Sequence, residues 1–191
     1  MRRTEFVEIF ARLRDAEVVI TGPGGVSGAL CHAADLPATI YNMEMGYAAA
    51  VCLGVALATP GRRIVAMEGE GSIIAGMSVL STIGRYRPPN LIVIAFDNGI
   101  YGTGSGMVES ATRHGTDLAA VARACGIKQV AVVQDPHTAH DVLNRAFSEN
   151  GPWFLLARIE PTDITSGQRP TPGVDQIETA YAFRRALTQE G

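Results

Sequence analysis

Five short runs of nearly unbroken apolar residues, rich in Val and Ile and separated by segments of helical periodicity, limit what this chain can fold into more than any other feature. They cover residues 17–21, 64–68, 91–96, 129–133 and 153–159. A strand with one wet face alternates polar and apolar residues, whereas a strand covered on both faces loses that alternation, so these runs read as parallel strands. Helices are expected at residues 4–14, 27–34, 46–58, 72–85, 117–125, 136–150 and 175–188. Several are punctuated: Asp117 and Asp135 are suited to cap, Gly126 and Gly151 to terminate, and Pro60-Gly61 to turn. This alternation predicts an α/β fold, a doubly wound, mostly parallel sheet with helices on both faces.

At 191 residues, with 47% apolar and 18% charged residues, the chain has the size and composition of one domain, residues 1–191. Residues 162–173, rich in Thr, Pro and Gly, read as a linker, so that 162–191 forms a C-terminal linker and helix. A formal charge of -3 and the absence of any dense Lys/Arg block argue against nucleic acid as a partner. No apolar run is long enough to span a membrane, and the Met-Arg-Arg start does not lead into a signal-like apolar stretch. Cys31, Cys52 and Cys125 are too scattered for a disulfide framework, a zinc site or an iron-sulfur cluster, and a reducing cytoplasm is the expected location.

The chemistry-bearing residues cluster at strand ends. Gly69-Glu70-Gly71-Ser72 ends one strand run and Asp97-Asn98-Gly99-Ile100-Tyr101-Gly102 ends the next, with Asn98 falling 28 positions after Glu70. That interval accommodates one strand-helix-strand crossover, which returns an amide to the same sheet edge as a carboxylate, where open α/β sheets bind ligands. A carboxylate and an amide oxygen there suit a divalent cation that completes its octahedron with phosphates and water. Glycines in such a turn let backbone N–H groups approach phosphate oxygens. Gly22-Pro23-Gly24-Gly25, after the first strand, offers a second set of backbone donors. Taken alone, Gly69 to Ser72 reads more readily as a tight turn with a solvated acid, and Gly22 to Gly25 also resembles a degraded dinucleotide loop.

The wider run decides between these readings. Met45-Gly46-Tyr47-Ala48-Ala49-Ala50 stands 25 positions before Glu70 and is followed by Gly54, Ala56, Ala58, Pro60 and Arg63. With Leu80-Ser81-Thr82-Ile83-Gly84, Asp97-Asn98-Gly99 and the stretch from Asp117 to Gly126, it resembles the diphosphate-binding domain of thiamine diphosphate enzymes of the decarboxylase class. The nearest resemblance is to phosphonopyruvate decarboxylases and the sulfopyruvate decarboxylase beta subunit, over roughly residues 17–161. The resemblance implies thiamine diphosphate as cofactor, with Mg²⁺ bound by Glu70, by the Asn98 side chain and by the Ile100 backbone carbonyl. It also implies that Gly69, Gly71 and Ser72 lie against the diphosphate, with Gly22, Gly24 and Gly25 opposite. Met45 takes the place of the apolar wedge that bends the cofactor. Ile73, Ile100 and Met107 are expected pocket walls, and Met107 and His114 candidate substrate contacts; Glu44 is expected in solvent.

Besides Gly106-Met107-Val108-Glu109, which differs from the run that the named relatives carry after the Asn98 turn, two departures from the family pattern matter. Glu70 stands where the family carries Asp, which lengthens the arm by one methylene and leaves Ca²⁺ open beside Mg²⁺. The family also needs a pyrimidine-binding domain whose Glu activates the cofactor ring. That catalytic group is expected on a separate subunit in a hetero-oligomer, α2β2 or larger, acting on a small 2-oxo acid to give an aldehyde. The alternatives are an acetolactate synthase-like carboligase subunit and a non-catalytic nucleotide-binding or assembly subunit.

Overall fold

The computed structural model describes residues 1–103, 106–161 and 175–188. Its centre is a six-stranded sheet in the order β2-β1-β3-β4-β8-β7, with every neighbouring pair parallel: β1 Val18–Thr21, β2 Thr39–Ile40, β3 Ile64–Gly69, β4 Leu91–Asp97, β7 Gln129–Val133 and β8 Trp153–Arg158. The lack of polar alternation in the sequence has its cause here, since both faces are covered. Val18, Ile20, Ile64, Ala66, Val93, Phe154 and Leu156 enter one core cluster. Their immediate neighbours Val19, Val65, Met67, Ile92, Ile94 and Leu155 enter the other.

Helices α1 (Arg3–Leu13), α2 (Gly25–Ala33) and α7 (Pro136–Ser148) cover the second cluster, and α3 (Ala48–Ala58), α5 (Val79–Tyr86), α6 (Leu118–Ala124) and α8 (Gln176–Thr188) cover the first. Asp117 and Asp135 cap α6 and α7, their side chains accepting from the N–H groups of Ala120 and Thr138. The doubly wound parallel sheet anticipated from the sequence is therefore the observed architecture. No helix among the described residues is long and apolar enough to cross a membrane. The proposed linker at 162–173 lies outside the described residues.

Three features differ from the expected element list. The helix expected at 72–85 is two, α4 (Glu70–Ala75) and α5, broken around Gly76. A Cβ on Gly76 would lie 2.3 Å from the Gly46 carbonyl oxygen, so the backbone bends there to let the loop before α3 pass at close range. Second, β2 is only two residues long and carries too little pattern to be read from sequence. Third, β5 (Ile100–Thr103) and β6 (Gly106–Glu109) form an antiparallel hairpin in a glycine-rich stretch, where diluted hydrophobicity hides the strands.

The strand order places a topological switch between β1 and β3: the chain leaves β1 toward β2 on one side and resumes on the other with β3. The loops after β1, β3 and β4 thus face one crevice at the carboxyl edge of the sheet.

Gly84 supplies a test of the packing, because a Cβ there would sit 1.7 Å from the Cys125 carbonyl oxygen, whereas Gly54 in α3 has open space around it. Gly84→Ala should destabilise the chain by about 3 kcal/mol in urea unfolding. Gly54→Ala, free of clash in a helix interior, should be neutral or stabilising by up to about 1 kcal/mol. Equal effects at the two positions would contradict the packing described.

Candidate active site

A cleft of about 860 Å³ opens at that switch point, lined by Pro23 to Val26 after β1, Gly69 to Ser72 after β3, and Asn98, Ile100, Tyr101 and Gly102 after β4. Its two chemistry-bearing loops meet because β3 and β4 run in register with Gly69 opposite Phe96, so Glu70 and Asn98 emerge side by side.

Glu70 is the first residue of α4 and is 4% exposed, which removes the reading of Gly69 to Ser72 as a surface turn with a solvated acid. Its Oε1 has no hydrogen-bond partner among the described residues. Burial, then the charge of nearby Asp97, push its carboxyl up to about 7, against the opposing pull of its own N–H, the Ser110 hydroxyl and the Asn98 N–H. A buried carboxylate with an idle oxygen is an incomplete site, and a cation would complete it.

Asp97, directly before Asn98, is also buried but fully occupied. It accepts from the Gly99 N–H at 3.0 Å and the Thr112 hydroxyl at 2.8 Å, and it pairs with the Arg158 guanidinium. Gly99 turns with φ +72°, and the Asn98 amide oxygen accepts the Ile100 N–H at 2.9 Å, an Asx turn that fixes the loop. Among the described residues no group of three or more His, Cys, Asp or Glu gathers as a metal site. A cation held here would draw most of its ligands from a bound phosphate and water, as Mg²⁺ commonly does. The residues present fit the cation and diphosphate that the resemblance implies.

Of the sequence-derived site residues, the cleft brings together Gly24, Gly25, Met45, Gly69, Glu70, Gly71, Ser72, Asn98, Ile100 and Met107. Gly22 lies behind it, donating its N–H to the Met67 carbonyl at 2.7 Å. His114 lies outside the lining, where its Nε2 is 3.1 Å from Glu109 Oε2, both side chains being well exposed. Ile73, on the buried side of α4, is packed in the core rather than forming a wall. Glu44, expected in solvent, is exposed at the cleft margin.

The sequence reading missed Arg3, Phe96 and Tyr101 as lining residues. The Tyr101 ring rests on Gly71, where a Cβ would come within 2.3 Å of it, and its hydroxyl lies 2.8 Å from the Met45 sulfur. A cue for Tyr101 was its place one residue past Ile100, while Arg3 reaches the cleft only through the packing of α1 beside α2.

The chain matches the family model of the thiamine pyrophosphate enzyme, C-terminal TPP binding domain, over residues 31–157, and it belongs to that family. It is 35% identical over 176 residues to a phosphonopyruvate decarboxylase of Streptomyces viridochromogenes, covering 92% of this chain but 43% of the relative. It is 30% identical over 176 residues to the sulfopyruvate decarboxylase subunit beta of Methanothermobacter thermautotrophicus, covering 92% of this chain and 88% of that one. In fold it is similar to a thiamine diphosphate-dependent 4-hydroxybenzoylformate decarboxylase of Rhodococcus jostii RHA1, with a TM-score of 0.68 at 18% identity over 85% of this chain and 33% of that one.

Because the folded Glu70 carboxyl binds its proton more tightly than the unfolded one, stability without a divalent cation should fall as pH rises from about 4.5 through about 7. Glu70→Gln should remove that fall. The variant should exceed the parent by about 3 kcal/mol at pH 8 and converge with it near pH 4.5, measured by urea unfolding in chelator. Parallel curves for the two proteins would contradict the assignment.

Proposed function

We propose that this chain is the diphosphate-binding subunit of a split thiamine diphosphate-dependent 2-oxo acid decarboxylase, completed by a separate pyrimidine-domain subunit. The observation that carries this is Glu70, a buried acid with an idle oxygen placed beside Asn98 at the switch point of a parallel sheet. In this reading Mg²⁺ is held by the Glu70 carboxylate, the Asn98 amide oxygen and the Ile100 carbonyl. The diphosphate lies among the N–H groups of Gly69 to Ser72 and Gly24 to Gly25, close to the starts of α4 and α2.

The bound cofactor supplies the electron sink that lets a 2-oxo acid lose CO₂. This chain's residues hold and shape it. Met45 lines the cleft directly before Gly46, whose N–H reaches Ser72 Oγ, and presents an apolar surface against which the organic body can bend. Phe96, Ile100 and Met107 give the reacting end apolar walls, which disfavour a full charge on a carboxylate relative to the dispersed charge left after CO₂ departs.

The split is supported by lengths and by surface. The chain spans less than half of the Streptomyces relative but most of the Methanothermobacter protein, whose name marks it as one subunit of an assembly. Met45, Tyr47, Met107 and Val108 are 39–60% exposed, an apolar edge beside the cleft that a partner domain would cover. Such a partner would bring the Glu that activates the cofactor ring, in an α2β2 or larger assembly. The three free cysteines agree with a reducing cytoplasm.

In calorimetry, the chain alone should bind thiamine diphosphate weakly and only with Mg²⁺, and Glu70→Ala should lose the Mg²⁺-dependent part. Decarboxylation should appear when the pyrimidine-domain chain is added, with aldehyde rather than acetolactate as product from a 2-oxo acid. Robust turnover by the isolated chain, or Mg²⁺-independent binding unchanged in Glu70→Ala, would overturn the proposal.

A further inference from the structure

One buried acid near the cleft takes no part in the proposed chemistry. Glu68, the penultimate residue of β3, is 1% exposed and does not line the cleft. Its Oε1 accepts the Ala49 N–H at 2.7 Å in the first turn of α3, and its Oε2 accepts the Ser72 hydroxyl. Ser72 Oγ in turn accepts the Gly46 N–H at 2.9 Å. A relay of hydrogen bonds therefore ties β3 and the start of α4 to both ends of the segment from Gly46 to Ala49.

That segment directly follows Met45. Gly46 has φ +85°, a conformation that side chains other than glycine rarely adopt, and a Cβ on it would lie 3.1 Å from the Gly76 nitrogen. The loop is thus pinned by the Glu68 relay on one side and by backbone contact at the break between α4 and α5 on the other. A carboxylate suits the first role better than an amide, because it accepts at both oxygens, whereas a glutamine offers one acceptor and one donor group.

We infer that Glu68 is a positioning residue which, through Ser72 and Ala49, sets the height of Met45 above the Gly69 to Ser72 turn. This rests on the proposed cofactor reading. It assigns the Ser72 hydroxyl to the loop rather than to the diphosphate, and it makes the bend of the cofactor's organic body depend on a residue that never touches it.

The test compares two probes on the full chain by NMR titration: thiamine diphosphate with Mg²⁺, and inorganic pyrophosphate with Mg²⁺, which lacks the part Met45 would meet. Glu68→Gln and Met45→Ala should each weaken thiamine diphosphate about tenfold while leaving pyrophosphate within about twofold, and the double variant should be no weaker than either single one. Amide exchange at Gly46 and Ala49 should quicken in Glu68→Gln. Equal loss of both probes, additive losses in the double variant, or unaltered thiamine diphosphate binding in Glu68→Gln would overturn the inference. Should Glu68→Gln fail to fold, Ser72→Ala carries the same comparison: a selective loss supports the relay and a parallel loss refutes it. Failure of the folded parent chain to bind thiamine diphosphate at all would instead sink the cofactor reading itself.

Discussion

A buried carboxylate with one oxygen unpartnered among the described residues is the constraint around which the rest of this structure is arranged. Two acids reach the same sheet edge because β3 and β4 are parallel neighbours in register, and their surroundings treat them oppositely. Asp97 is saturated by Gly99, Thr112 and Arg158, and so becomes part of the scaffold that shapes the Asn98 turn. Glu70 is desolvated, lies within the field of Asp97 and keeps an idle oxygen. A ligand-free chain bears that cost, and in the proposed reading a bound cation would offset it, as a structural ion pair already does for Asp97.

Much of this was legible in the sequence because it depends on local pattern and spacing. Strands buried on both faces declare themselves as apolar runs, and an acid and an amide one crossover apart must return to one edge. What was not legible depends on contacts between distant segments. The break at Gly76 exists because Gly46 passes against it, and nothing within 72–85 announces that approach. The β5–β6 hairpin is masked by its glycines, and β2 is too short to carry a period. Glu68 and Asp97 both read as acids at strand ends; only the fold reveals that one is bound to Ser72 and Ala49 and the other to Arg158 and Thr112. His114 shows the converse, a residue near the Asn98 turn in sequence that folding turns toward Glu109.

Glu70, the first residue of α4, begins one step beyond the strand and lies buried. Met45, Tyr47, Met107 and Val108 leave exposed apolar surface where, in the proposed reading, the other half of the site would seat.

The most direct test is a crystal structure of the chain grown with thiamine diphosphate and magnesium. The account predicts one cation about 2.0–2.1 Å from a Glu70 carboxylate oxygen, the Asn98 amide oxygen and the Ile100 carbonyl oxygen, with the diphosphate filling its remaining positions. A cation bound elsewhere, or Glu70 and Asn98 directed to separate places with the cofactor present, would contradict it.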